Sequence, residues 1–194
     1  MRRSKGFTLA ELLFAMGLFM GILLTLAAIN AAAVRNQRLI VARTSVGNHA
    51  TMIRYSVERV LAEATYILTP SSGAASSDLT VLENVDPSDA ERPLVADLPR
   101  RFTRLCVDGS GRYLYHYTGR FPVPEFGCGD APKDVARQAL AGGETFEVAV
   151  TFYRPAGESN LVLAEYGVEL PQDALAAERR VAGTTMLSVR NAHY

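Results

Sequence analysis

From Leu12 to Val34 the chain carries 23 residues without a charge, almost all of them apolar. Wound as an α-helix this run rises about 35 Å, enough to cross a hydrocarbon core of about 30 Å. The apolar periodicity continues past Arg35 in a different form. Leu39, Val46, Ile53, Val57, Val60, Leu61, Ala64 and Ile67 recur at helical spacings, with Arg35, Arg38, Arg43, Arg54, Glu58 and Glu63 largely between them. Such a stripe suits a helix lying on a sheet. It lacks sustained Leu heptads, which counts against a coiled coil. Thr69-Pro70-Ser71-Ser72-Gly73 supplies the stop. The pattern predicts one helix from Phe7 to about Leu68, membrane-length to Val34 and amphipathic over 35–69.

Beyond Pro70 the period shortens to two. Leu79–Val85, Phe102–Val107 and Arg112–Thr118 are short runs of β-formers, and Asp108-Gly109-Ser110-Gly111 predicts a hairpin between the last two. Phe146, Val148, Val150 and Phe152 alternate, as do Val162, Ala164, Tyr166, Val168 and Leu170, around a loop at Pro155–Asn160. Thr184–Arg190 reads as a last strand, and Asp130 to Ala141 as a short helix or irregular excursion. Clean alternation predicts antiparallel sheet with one buried face, on which the amphipathic half of the helix packs. The fold class is α+β, with a β-rich body over 70–194.

Charge sets the topology. Arg2, Arg3 and Lys5 precede the apolar run, so the positive-inside rule places the N-terminus in the cytoplasm and the body outside it. A small-residue exit at Ala31-Ala32-Ala33 would allow ordinary signal-peptide cleavage, but the length of the run and Glu11 at its head favour a retained helix. The chain has 20 basic and 20 acidic residues, and no electrostatic footprint for nucleic acid. Cys106 and Cys128 are the only cysteines. In an oxidising compartment a disulfide between them is expected, the alternative being two unrelated buried thiols.

A carboxylate at the head of an apolar helix asks for a cationic partner. The stretch Lys5-Gly6-Phe7-Thr8-Leu9-Ala10-Glu11-Leu12 resembles the prepilin signal of type IV pilins and type II secretion pseudopilins. The resemblance implies a leader over 1–6, cleavage by a prepilin peptidase between Gly6 and Phe7, and methylation of the new Phe7 amine. It implies that residues 7–34 form a transmembrane helix and later a filament core. There Glu11 would pair with the Phe7 amine of a neighbouring pilin or pseudopilin subunit. Because the acid is present, the family pattern places the chain below another subunit rather than at the tip. The segment Tyr55–Leu61 and the closing Met186–Asn191 look more like a minor pilin, or a J-type minor pseudopilin, than a major subunit.

Gly17 and Gly21 form a G-x-x-x-G pair with Thr25 one turn further on. They either let helices approach closely or reflect the ordinary tolerance of Gly in membrane helices. No competing chemistry emerges. His49, His116 and His193 lack metal-ligand spacing, His49 is expected to be exposed and His116 to line a sheet face. No nucleophile elbow or phosphate-binding Gly loop is present, so neither an enzyme nor a cofactor is expected. Asp86, Asp89, Asp97, Asp108 and Asp130 read as solvated loop acids rather than calcium ligands. Tyr113, Tyr115, Tyr117, Phe121 and Phe126 lie near Arg100, Arg101, Arg104, Arg112 and Arg120 in sequence, a pattern that fits core or interface better than stacking on single-stranded nucleic acid. The competing class is an inner-membrane-anchored extracytoplasmic binding protein that never polymerises.

Overall fold

The computed structural model describes residues 8–86, 89–130, 132–144, 146–158, 161–170 and 180–188. The chain divides into two compact units, Met1–Ala42 and Arg43–Tyr194.

The first unit is helical from Leu9 onward as part of α1 (Leu9–Glu63). Every residue from Thr8 to Arg38 is exposed.

In the second unit α1 continues to Glu63 and buries Val46, Ala50, Ile53, Val57, Val60 and Leu61, spaced by three or four residues. The helix stops five residues short of the predicted Leu68. Thr65, Tyr66, Ile67 and Thr69 are β-branched or aromatic, and they leave the helix to form β1 (Tyr66–Thr69). Ile67 is buried as expected, but from a strand.

β1 pairs antiparallel with β3 (Asp78–Glu83), which follows a two-residue β2 (Ala75–Ser76). A two-stranded ribbon, β4 (Val85–Asp86) and β5 (Asp89–Pro93), comes next. The predicted hairpin is β6 (Arg101–Val107) and β7 (Tyr113–Arg120). Then β8 (Ala136–Gly142) pairs with β7, completing a five-stranded sheet in the order β1-β3-β6-β7-β8. This corrects the expectation of a helix or irregular stretch at 130–141. Ala136-Arg137-Gln138-Ala139-Leu140-Ala141 are helix formers by propensity, and pairing along β7 overrides that preference. The second predicted hairpin is β9 (Glu147–Tyr153) and β10 (Leu161–Glu169), flanked by β11 (Arg180–Ser188) and β2 in a four-stranded sheet.

A main core joins the 46–61 helix face to both sheets through Leu79, Val81, Leu105, Leu114, Val148, Val150, Phe152, Val162, Ala164 and Val168. β9 alternates as predicted, with Val148, Val150 and Phe152 inward. The five-stranded sheet does not have one buried face. Leu79, Thr80, Val81 and Leu82 are all buried, because a second core of Leu82, Val85, Phe102, Cys106 and Tyr117 covers the opposite side. Phe121, Val123, Phe126, Cys128 and Val135 pack on that side, a layer that strand periodicity could not announce.

Candidate functional site

The helix head is built by a reciprocal cap. The Thr8 N–H and Oγ1–H both donate to Glu11 Oε2, each at 2.9 Å, and the Glu11 N–H donates to Thr8 Oγ1 at 3.4 Å. Thr8-Leu9-Ala10-Glu11 is a T-x-x-E capping box, a signal present in the sequence and missed beside the charge argument. Glu11 is exposed. Gly6 and Phe7 lie outside the described residues.

Below the cap the helix has the length and apolarity to cross a membrane, and none of its apolar window is buried. Phe14 is 72 % exposed and Leu24 is 70 % exposed. A helix surface of this kind is covered by lipid or by other helices. Gly17 and Gly21 leave one strip of it open, since a Cβ added at either would meet nothing within 4 Å. Thr25 spends its hydroxyl on the Ile22 carbonyl at 2.8 Å.

The body's distinctive element is the segment after β7. Cys106 on β6 is bonded to Cys128, with Cα atoms 6.0 Å apart, and this fixes the segment to the sheet. Tyr117 is fully buried, its OH donates to the Asp130 carbonyl at 3.1 Å and accepts the Gly129 N–H at 2.8 Å. Arginines fasten the rest. Arg104 lies 4.8 Å over the Phe126 ring and donates to the Phe126 carbonyl at 2.8 Å. Arg137 lies over Tyr115 and donates to the Gly129 carbonyl, and Arg100 lies over Phe121 and donates to the Ala90 and Glu91 carbonyls. The rings of Tyr115, Phe121 and Phe126 thus each carry a guanidinium of the same chain. Each contact covers one face of its ring and fastens the segment to the sheet.

Between the last turns of α1 and the five-stranded sheet lies a cavity of about 470 Å³, lined by Arg59, Glu63, Glu83, Arg101, His116 and Gln138 among others. His116 lines the sheet face as predicted. Burial pushes its pKa below the ordinary imidazole value, and the positive charge of Arg59 pushes the same way against Glu63. His49 is only partly exposed, contrary to expectation. Its Nδ1 accepts the Gly142 N–H at 3.3 Å, a contact made across 93 residues, and its ring lies 4.5 Å from that of Phe146. Asp108 is a turn acceptor, taking the Arg112 and Tyr113 N–H groups at 2.9 Å. Among the described residues no three His, Cys, Asp or Glu side chains are grouped to hold a metal ion.

Residues 1–28 match the family model described as the prokaryotic N-terminal methylation motif. The match takes in Gly6, Phe7, Glu11, Gly17 and Gly21. No curated protein and no solved structure matches the chain.

Proposed function

We propose that the chain is a minor structural subunit of a type IV pilus-like or type II secretion pseudopilus filament, cut by a prepilin peptidase after Gly6. The methylation motif supports the pilin and pseudopilin family and prepilin processing. The observation that carries the reading is Glu11, a carboxylate at the head of a fully exposed apolar helix inside that motif. Cleavage creates an α-amine at Phe7, four residues before Glu11 in sequence. Thr8 keeps the carboxylate hydrogen-bonded and oriented in the isolated subunit. An incoming subunit's amine then offers a stronger, charged partner in an apolar surround, where an ion pair is tolerable and a lone charge is not. Docking follows from charge neutralisation, with the 12–34 surface buried among neighbouring helices and the β-rich body left outside the core.

Peptide and intact-mass spectrometry of the protein from its native membranes tests this directly. The expected chain begins at N-methylated Phe7. A Met1 start, or cleavage near Ala33, would remove the assembly mechanism. It would favour the second reading, an inner-membrane-anchored extracytoplasmic binding protein, which the polar cavity beside His116 supports.

A further inference from the structure

No Asp or Glu occurs between Glu11 and Glu58, yet Arg35, Arg38 and Arg43 follow the apolar run within nine residues. That count equals the three cations of the leader, Arg2, Arg3 and Lys5. Basic residues on the exit side oppose the orientation that the leader sets, so they carry a cost at insertion. Arg35 and Arg38 are both exposed, and at a spacing of three they share a helix face. Neither makes a salt bridge or a hydrogen bond among the described residues.

Depth identifies the partner. With Glu11 at one boundary, Arg35 lies 24 residues further on, about 36 Å along the helix axis. The hydrocarbon core is about 30 Å thick, so Arg35 emerges among the phosphates of the far leaflet, and Arg38 sits one turn above. A guanidinium presents a planar fork that grips a phosphodiester with two parallel hydrogen bonds. We infer that Arg35 and Arg38 form a headgroup clamp for anionic phospholipid in the extracytoplasmic leaflet, holding the unassembled subunit at fixed depth. The inference rests on the membrane-spanning reading of residues 12–34.

The test is lipid selectivity of the full chain reconstituted in phosphatidylcholine bilayers, read with spin-labelled phosphatidylglycerol and spin-labelled phosphatidylcholine. The chain carries R2Q/R3Q/K5Q throughout, so that the leader contributes nothing. Each arginine near a charged surface is worth about fivefold, so a preference of up to about 25-fold for phosphatidylglycerol is expected at low salt. R35Q/R38Q should bring it close to one, and R35K/R38K should retain part of it. A preference unchanged by R35Q/R38Q overturns the clamp. So does its loss on adding inorganic phosphate at constant ionic strength, which would mark a site for free anions. If no lipid preference exists but R35Q/R38Q blocks filament incorporation, the partner is a carboxylate on a neighbouring subunit, and the clamp is wrong. A motionally restricted lipid shell without selectivity refutes the clamp alone, whereas absence of any restricted shell refutes the membrane span with it.

Discussion

Arg104 closes a two-pronged ion pair on Asp78 across neighbouring strands, with Nη2 2.6 Å and Nε 2.8 Å from Asp78 Oδ2. Its Nη1 also donates to the Phe126 carbonyl, so one guanidinium ties β3 and β6 to the disulfide-bonded segment. The side chains are 16 % and 23 % exposed, so water can replace little of what either loses. Arg104→Met keeps the stem and strands Asp78, and should cost about 3 kcal/mol in urea unfolding of the body. Arg104→Lys should recover only part, because an ammonium cannot span both oxygens and Phe126. Unchanged midpoints for both variants would mean that the pair is energetically idle.

The Cys106–Cys128 bond closes a loop of sequence separation 22. Its removal in C106S/C128S should lower stability by about 3 kcal/mol, chiefly through the freedom regained by the unfolded chain. Proteolysis should then fall first within 121–135. Helix content should persist, because the 46–61 face packs in the main core and not in the layer that the bond secures. Loss of helical signal in C106S/C128S would contradict that separation.

His116 makes acid sensitivity of the body predictable in sign. Its folded-state pKa is lowered, by burial first and by Arg59 second, so below the unfolded value of about 6.5 the unfolded chain binds more protons. Stability is therefore complete above about pH 6.5 and is lost as pH falls through the folded pKa. His116→Gln should flatten the stability profile between about pH 7.5 and 5.5. An equal slope in variant and wild type would assign the acid sensitivity elsewhere.

Glu11 can be separated from its cap by three substitutions. Thr8→Ala removes the hydroxyl donor to the carboxylate and the acceptor of the Glu11 N–H but keeps the backbone N–H donor and the charge, so filament incorporation should fall modestly. Glu11→Gln keeps an oxygen acceptor for Thr8 but loses the charge, and incorporation should fall severely, as for Glu11→Ala. Processing after Gly6 should survive in all three, checked by mass. Wild-type incorporation of Glu11→Gln would show that hydrogen bonding, not charge, drives docking.

Most of this architecture can be read from residue order. The hairpins at Asp108–Gly111 and Pro155–Asn160 follow from turn chemistry between alternating runs, and Val46 to Leu61 follow from a stripe of three and four. Ile67 shows where periodicity misleads. It continues the helical spacing by coincidence, although Thr65-Tyr66-Ile67 prefers a strand, and Tyr66 and Ile67 pair with β3. β8 is the reverse case, helix formers held as a strand by a neighbour some twenty residues earlier in sequence. The second core was illegible because the cover over its strand residues comes from outside the strands, from Phe121, Val123, Phe126 and Val135, which carry no period at all. At the site, the Thr8 cap was legible and the arginine-on-ring contacts were not, since sequence proximity of Arg and aromatics does not say which guanidinium finds which ring.

The run Leu79-Thr80-Val81-Leu82 has a consequence for how this body can vary. Leu79 and Val81 serve the layer against α1, whereas Leu82 serves the layer under the disulfide-bonded segment. The five-stranded sheet is thus a partition wall between two compartments that share few side chains. Substitutions on opposite sides should add independently, as changes without common partners do. The outer compartment can be remodelled, even recoated with different surface chemistry, while the inner one goes on gripping the 46–61 face of the helix.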